Sequence, residues 1–273
     1  MKNKTELRKY YPELPVREDF DLLIMKEQVE LVSLDFLFNS RYADRLSFIG
    51  GTNLRLVEGI DRFSEDLDFD CKGLDKNQFI EMTDELVRHL NSLGFPAVPA
   101  EQESDRLSAF RRSIRFPGFA YEQGLSPYKG KRFLLKIEAQ DQEYLYPRIS
   151  RTIEKQGTAI SVKTPPLTTL IAMKTAATLN RAKGRDFYDL DFLLGKTPLD
   201  FKYLDIKLGI KNTESLRSRL IAKINETDMK LKVEDVKHLL INPENAEKIL
   251  GLKNRIIAIP DSSLGERKKG IKL

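Results

Sequence analysis

The sequence has no tryptophan, two histidines and a single cysteine among its 273 residues. One cysteine cannot form a disulfide within the chain, which is typical of a protein kept in a reducing cytoplasm. No cysteine or histidine cluster surrounds His89 or His238, so both histidines are expected to be structural. The spacing of a zinc site and the GxxxxGK[ST] pattern of a phosphate loop are both missing.

Long hydrophobic runs are also missing. No segment approaches the ~18 apolar residues that mark a membrane span, and no apolar stretch follows the basic N-terminus as it would in a signal peptide. We therefore expect a cytoplasmic protein without membrane association. The net charge of +5 would suit a polyanionic partner such as RNA or a nucleotide, although many unrelated proteins are equally basic.

The pattern of apolar residues predicts an α+β N-terminal domain at 1–150 and a mostly helical C-terminal domain at 151–273. In the first domain, the predicted elements are helices at 19–39, 53–59 and 75–94, strands at 46–49 and 66–71, and further strands within 106–140. After a break at 164–166, the predicted helices lie at 167–195, 213–225 and 233–251.

A glycine pair followed by two aspartates is the strongest chemical signal. A short buried strand is expected to deliver Gly50 and Gly51, which allow a tight turn and leave no Cβ to obstruct a phosphate. The free N–H groups of the helix that follows, with the hydroxyl of Thr52, would suit a triphosphate. Thirteen residues separate Thr52 from Asp66, which is enough for a helix, a turn and an adjacent strand. The combination of strand, glycine pair, helix and aspartates in this order is a more specific signal for a nucleotide site than any one of these parts alone.

The aspartates Asp66 and Asp68 are two residues apart on a predicted strand and so point the same way. Two carboxylates on one face repel each other unless a cation lies between them, and Mg²⁺ uses one or two carboxylates together with substrate phosphates. Asp70 continues this face as a possible spare. Glu138, on a later strand, is our candidate for a third metal-binding carboxylate or a general base, with Asp141 in reserve.

A second cluster of charges lies on the predicted helices after residue 167. Lys174 falls on an apolar helical face, where an ammonium is costly unless it meets an anion; the alternative is a lysine that covers apolar surface with its stem. Arg181 and Arg185 continue on the same side and would suit phosphate oxygens. Asp186 and Asp189 share a helix face and could orient Lys174 or Arg185, line an acceptor site, or form a surface ion-pair ladder.

Arg62 and Ser64 directly precede the first aspartate. The guanidinium of Arg62 could contact a phosphate. Ser64 lies two residues before Asp66 and, if the strand already extends there, is on the same side of it. Both residues are therefore candidates for nucleotide binding.

The segment GGTNLRLVEGIDRFSEDLDFD at 50–70 resembles the DNA-polymerase-β-like nucleotidyltransferases and, more narrowly, the AbiEii/AbiGii toxin family. Members of that family share a Gly-Gly-Thr, an Arg-Phe-Ser and an Asp-x-Asp at this spacing. The segment AMKTAATLNRAKGRDFYDLDFLL at 172–194 is similar to the family's second signature, which contains a lysine, an arginine and a helix with paired aspartates.

The resemblance implies a nucleotidyltransferase core, a mixed sheet flanked by helices, with an appended helical domain. It implies transfer of NMP from an NTP with Mg²⁺ (or Mn²⁺), Asp66, Asp68, Lys174 and Asp186 or Asp189 being catalytic. Some relatives modify the 3′ end of tRNA, so an RNA acceptor and an antitoxin encoded nearby are the expected partners. The alternatives are transfer to a small molecule or protein hydroxyl, and an inactive relative that only binds RNA or a partner.

Overall fold

The computed structural model describes residues 1–14, 18–100 and 109–264. The chain divides into two compact units, the first formed by Met1–Gly59 and Phe63–Thr164 and the second by Ile60–Arg62 and Pro165–Leu273. The division therefore falls after Thr164, whereas the sequence placed it at 150. A β-hairpin at 149–164 causes this difference, because it packs on the first unit.

The first unit has an α+β composition, as the sequence predicted. The helices are α1 (Lys4–Arg8), α2 (Glu18–Asn39), α3 (Gly50–Leu56), α4 (Lys76–Ser92) and α5 (Phe119–Glu122). The strands are β1 (Leu46–Ile49), β2 (Asp66–Cys71), β3 (Val98–Pro99), β4 (Phe110–Arg115), β5 (Leu134–Gln140), β6 (Ile149–Lys155) and β7 (Thr158–Thr164). A short 3₁₀ turn, Ala43–Arg45, leads into β1. Of the region predicted to hold strands at 106–140, residues 106–108 lie outside the described chain.

Five of these strands form one mixed sheet in the order β1-β2-β5-β4-β3, and β6 and β7 form a separate hairpin. Strand β2 pairs antiparallel with β1 and parallel with β5. Strand β4 then pairs antiparallel with both β5 and β3. The register between β2 and its two neighbours determines which side chains share a face of the sheet, since side chains alternate along each strand.

One face of the sheet is apolar and is covered by helices α2 and α4. It presents Leu67 and Phe69 of β2, both essentially without solvent exposure. Phe38 of α2 packs against Phe69 with 6.2 Å between ring centroids, and Phe79 of α4 stacks on Phe110 at 5.6 Å. The opposite face therefore carries the alternate residues of each strand, which include Asp66 and Asp68 of β2.

The second unit is mostly helical, as predicted. Its helices are α6 (Leu167–Arg181), α7 (Gly184–Leu193), α8 (Phe201–Leu208), α9 (Thr213–Asn225), α10 (Met229–Lys237), α11 (Leu252–Ala258) and α12 (Asp261–Leu264). The segment predicted as one helix at 233–251 is instead the end of α10 followed by a 3₁₀ helix, Pro243–Gly251. Pro243 lacks an N–H donor and cannot lie inside a continuous α-helix. No helix of the described chain is long and apolar enough to cross a membrane.

Helix α2 buries three carboxylates in the first unit, those of Asp21, Glu27 and Glu30. Glu27 is satisfied by the guanidinium of Arg55 at 2.8 Å and by the hydroxyl of Tyr11. Glu30 is buried to the same extent, but its Oε1 has no hydrogen-bond partner in the described chain. Burial, with the negative charges of Glu27, Asp66 and Glu65 also contributing, holds the pKa of Glu30 well above its ordinary value of 4.5.

This raised pKa predicts how stability depends on pH. The folded chain binds the Glu30 proton more tightly than the unfolded chain, so the stabilisation is complete below about pH 4.5 and is lost as pH rises. Glu30→Gln removes the titration, and we expect its Tm at pH 8 in metal-free buffer to exceed the wild-type Tm by about 2–4 °C. At pH 5 the difference should shrink. The exposed Glu154→Gln control should show no such pH dependence, and an equal gain in both variants would contradict the assignment.

Candidate active site

Gly50 and Asp68 approach each other too closely for any side chain at position 50. A Cβ on Gly50 would lie 2.0 Å from Oδ2 of Asp68, and the backbone φ of Gly50 is +83°. The antiparallel pairing of Ile49 with Asp68 brings the turn to this carboxylate. Glycine is therefore required at position 50 for two reasons: the backbone there is left-handed, and the neighbouring carboxylate leaves no room for a side chain.

Helix α3 begins at Gly50 rather than at residue 53, so the glycine pair forms its first turn. Gly51 is buried, and the fully buried hydroxyl of Thr52 donates to the backbone carbonyl of Asp66 at 2.5 Å. Thr52 thus ties the helix to the start of β2. The sequence had predicted that the Thr52 hydroxyl is free to donate to a nucleotide, whereas in the fold it donates to the backbone. Of Gly50, Gly51 and Thr52, only Gly50 is partly exposed.

The carboxylates of Asp66 and Asp68 lie on the polar face of the sheet and are half-buried. Parallel pairing with β5 sets Lys136 beside Asp66 and Glu138 beside Asp68 on that face. Ile49 of β1 flanks Asp68 on the other side. The register therefore gathers two aspartates, a glutamate and a lysine on one face. Strand alternation in the sequence predicted that Asp66 and Asp68 point the same way.

Glu138 lies beside Asp68, but its carboxylate pairs with the guanidinium of Arg111 at 3.0 Å. Within the described residues, no three histidine, cysteine or acidic side chains converge closely enough to hold a metal ion. The structure thus gives Glu138 an arginine partner rather than a place in a three-carboxylate cluster. Strand β4 supplies that arginine, and its pairing with β5 was not evident from the sequence.

The two reserve carboxylates have other partners. Asp70 is buried, accepts from the backbone N–H of Gln142 at 2.8 Å and from the hydroxyl of Tyr146, and its pKa is raised by burial. Asp141 pairs with Lys72. Both are therefore engaged in holding β2 and the segment after β5.

The segment between α3 and β2 is divided between the two units. Ser64 is half-buried and directly precedes β2 in the first unit. Arg62 belongs to the second unit, where it forms an isolated bridge with Leu240 and is 1% exposed. The sequence grouped these two residues because they are neighbours, and the fold separates them.

Arg62, Lys174 and Asp189 form a buried ion cluster in the second unit. The carboxylate of Asp189 accepts from Nε and Nη2 of Arg62 at 2.6 and 2.7 Å, and from Nζ of Lys174 at 2.8 Å. Lys174 is 6% exposed and Asp189 is fully buried. Lys174 is therefore an inward-facing lysine held by an anion, and Asp189 is the aspartate that orients it.

Burial alone would raise the pKa of Asp189, but the charges of Arg62 and Lys174 and their hydrogen bonds hold that pKa below its ordinary value. The carboxylate is thus ionised at neutral pH. Two cations share the Asp189 carboxylate, which holds the side chains of Arg62 and Lys174 in defined positions.

Asp186 has a different partner from Asp189. It is fully buried, pairs with Arg181 at 2.7 Å and accepts from the backbone N–H of Lys183 at the start of α7. Arg181 is thereby engaged in fixing the turn between α6 and α7, while Arg185 is half-buried on α7. The alternative of a surface ion-pair ladder does not hold in this described segment, since Asp186 and Asp189 are both fully buried.

The contact between Gly50 and Asp68 predicts a steric effect that can be separated from backbone strain. Gly50→Ala should displace the Asp68 carboxylate, lower stability by about 1–3 kcal/mol and abolish any activity that depends on Asp68. Gly73→Ala is the matched control, because Gly73 also has positive φ (+62°) but no atom within 4 Å of its Cβ position. In urea denaturation, Gly73→Ala should show only the loss of stability that backbone strain causes, and its activity should be unchanged. An equal loss of activity in the Gly50 and Gly73 variants would refute the steric explanation.

The buried ion cluster predicts a large stability effect at Asp189. Asp189→Asn removes the carboxylate charge that pairs with two buried cations and should cost about 3–5 kcal/mol. Glu234→Gln, which breaks the exposed pair with Lys237, should change stability by less than about 1 kcal/mol. Urea denaturation of both variants provides the comparison, and a small effect at Asp189 would show that the cluster does not stabilise the unit.

Comparison with known proteins identifies the family of this chain. The family model described as "Nucleotidyl transferase AbiEii toxin, Type IV TA system" matches residues 35–249. A comparison with curated proteins gave no match.

Two solved structures share the fold. MenT4, a nucleotidyltransferase toxin from Mycobacterium tuberculosis, is 16% identical with a TM-score of 0.59, and the match covers 96% of this chain and 92% of MenT4. JHP933 from Helicobacter pylori is 21% identical with a TM-score of 0.53, covering 86% of this chain and 90% of JHP933. With the family model matching most of the sequence, including both signatures, the chain belongs to the AbiEii family of nucleotidyltransferase toxins of type IV toxin–antitoxin systems.

Proposed function

We propose that this nucleotidyltransferase moves NMP from an NTP to an RNA acceptor, the 3′ end of tRNA, in a Mg²⁺-dependent reaction that its cognate antitoxin counteracts. The observation that carries the proposal is the pair Asp66 and Asp68 on one face of β2, with Gly50 packed against the second carboxylate. A chain that only bound a partner would gain nothing from two repelling carboxylates held beside a glycine turn.

The donor set at this pair fits a hard divalent cation. Asp66 and Asp68 supply carboxylate oxygens from adjacent same-face positions, and Mg²⁺ is commonly held by one or two carboxylates with substrate phosphates and water completing its shell. Mn²⁺ accepts the same ligands. When bound, such an ion would neutralise phosphate charge and support in-line displacement at the α-phosphate.

The residues around the pair have positioning roles. Gly50 allows the Asp68 side chain to lie directly against the turn, because a Cβ at position 50 would overlap that carboxylate. The hydroxyl of Thr52 donates to the Asp66 carbonyl and so fixes the start of β2. The backbone that carries the first carboxylate is therefore held in place. Ser64, directly before β2, remains our candidate for contact with the nucleotide.

We assign Lys174 to the same reaction as a cation for triphosphate oxygens. Its ammonium is oriented by Asp189, which also binds Arg62 in the same buried ion cluster. Such a preorganised cation would stabilise charge that develops on the leaving pyrophosphate. Lys174→Gln should therefore lower kcat more than it changes the KM for NTP.

The RNA acceptor is supported by the net charge of +5 and by the family resemblance. Transfer to a small molecule or a protein hydroxyl is the alternative within the same chemistry. The two are separated by where the label from an α-³²P-labelled NTP is found after incubation with total tRNA and with a protein extract.

Asp66→Asn and Asp68→Asn test the proposed chemistry directly. Each retains side-chain size but loses the carboxylate, and we expect transfer to fall at least ~10²–10³-fold, with no more than a small change in Tm. Wild-type activity should disappear with EDTA and return with Mg²⁺. Asp44→Asn changes an exposed carboxylate away from this strand and should keep full activity. Full activity in either β2 variant would refute the assignment.

A further inference from the structure

We propose that the single-stranded end of the RNA acceptor docks on a basic and aromatic surface of the first unit, formed by strands β4 and β5 and the turn before β5. This inference rests on the proposed function and identifies the side chains that would hold its acceptor. The surface, called here the acceptor surface, consists of Arg115, Tyr128, Lys129, Lys131, Arg132 and Lys136.

The five cations of this surface are all exposed, and none has an ion pair within the described chain. By contrast, Arg112, whose side chain lies on the other face of β4, pairs with Asp84. Exposed cations gathered without counter-ions create a positive potential that attracts phosphates. The acceptor surface thus concentrates positive charge, although the net charge of the whole chain is only +5.

Tyr128 supplies the aromatic part of the surface. Its side chain is 74% exposed, which places it among the most exposed large hydrophobic residues of the described chain. A single exposed aromatic residue is ordinary on a protein surface. Here, however, Lys129, Lys131 and Arg132 lie within four positions of Tyr128 in the sequence, and cations interleaved with an aromatic ring are the combination that single-stranded nucleic acids bind.

The turn that carries Tyr128 is anchored at both ends. The N–H of Lys131 donates to the carbonyl of Tyr128 at 3.0 Å, which closes the turn. Phe133, directly after it, packs against Phe116 and Phe119 with centroid distances of 5.5 and 5.1 Å. The ring of Tyr128 is therefore presented by a defined turn on a packed aromatic base, which reduces the entropy lost on binding.

The register of β5 connects this surface to the aspartates. Lys136 lies beside Asp66 on the polar face, and Arg132 is four residues earlier along the same chain. The pairing between β4 and β5 continues beyond the ends of both strands, because the N–H of Phe116 donates to the carbonyl of Phe133. Arg132 thus lies on the same face, about 13 Å from Lys136 at ~3.3 Å per residue.

Arg115 lies on this face as well. Ser113 pairs with Lys136, and Arg115 follows two residues later on β4. The cations therefore lead from the turn along β4 and β5 to the position beside Asp66. An RNA end whose phosphates follow this path would bring its terminal hydroxyl toward the carboxylate pair, with an unpaired base stacked on Tyr128.

The test measures steady-state nucleotidyl transfer and, separately, the binding of a 5′-fluorescein-labelled single-stranded oligoribonucleotide without NTP. We expect the triple variant Lys129→Ala/Lys131→Ala/Arg132→Ala to raise the KM for RNA and the oligonucleotide Kd at least about 10-fold, with the KM for NTP unchanged. The slope of log K against log salt should fall by about 2, since each single-strand phosphate contact contributes about 0.7. Tyr128→Ala should weaken binding about 10-fold through lost stacking, whereas Tyr128→Phe should retain it.

The matched control is Lys202→Ala/Lys211→Ala/Lys230→Ala, which removes three exposed lysines from the second unit. An equal loss of RNA binding in this control, or unchanged RNA affinity in the acceptor-surface variants, would overturn the proposal. Equal loss in Tyr128→Phe and Tyr128→Ala would overturn the stacking role. If wild-type protein labels no RNA, the proposed function fails; if it labels RNA and the surface variants retain the wild-type KM, only this inference fails.

Discussion

The pairing of β2 between β1 and β5 is the constraint on which the carboxylate site depends. Antiparallel pairing with β1 places Ile49 beside Asp68 and so brings Gly50 against that carboxylate. Parallel pairing with β5 places Glu138 on the other side. A slip of one residue in either register would turn Leu67 to the polar face and the aspartates into the core. The apolar packing of α2 and α4 therefore also fixes the position of the catalytic candidates.

Buried charge is a recurring cost in both units, and the chain offsets it in different ways. In the second unit, Asp189 is fully hydrogen-bonded by two cations, which keeps it ionised and fixes Lys174. In the first unit, Glu27 is paired with Arg55, whereas the Glu30 carboxylate keeps one oxygen without a partner in the described chain. The second unit uses burial to orient a cation, and the first tolerates an acid that is favoured in its protonated form.

The polar face of the sheet has an uneven distribution of charge. The aspartates of β2 lie at one side, and the cations of β4, β5 and the preceding turn extend away from them. A nucleotidyltransferase requires an anionic donor beside a cation-binding pair and an acceptor whose end reaches it. The observed gradient meets both requirements in one surface, since carboxylates would bind the metal and the neighbouring basic residues would bind phosphates.

The sequence by itself determined the elements and the same-face relations that follow from local periodicity. Strand β2 with Asp66 and Asp68 together, helices α2 and α9, and the inward direction of Lys174 all follow from repeats of two or 3.6 residues. Even the buried carboxylates of α2 had a signal, because Glu27 and Glu30 fall at helical spacing from the buried Ile24 and Leu34. The domain boundary was less accessible, since a hairpin belongs to whichever unit it packs against.

Only the tertiary structure decided the partners. The contacts that join these partners connect residues 14 to 127 positions apart in the sequence. They pair Glu138 with Arg111, Asp189 with Arg62, and the hydroxyl of Thr52 with the carbonyl of Asp66. Local pattern carries no information on such pairings, because they depend on strand order and on how helices meet. The glycine at position 50 illustrates both levels: the sequence indicated a tight turn, and the fold showed that the Asp68 carboxylate lies where a Cβ at position 50 would be.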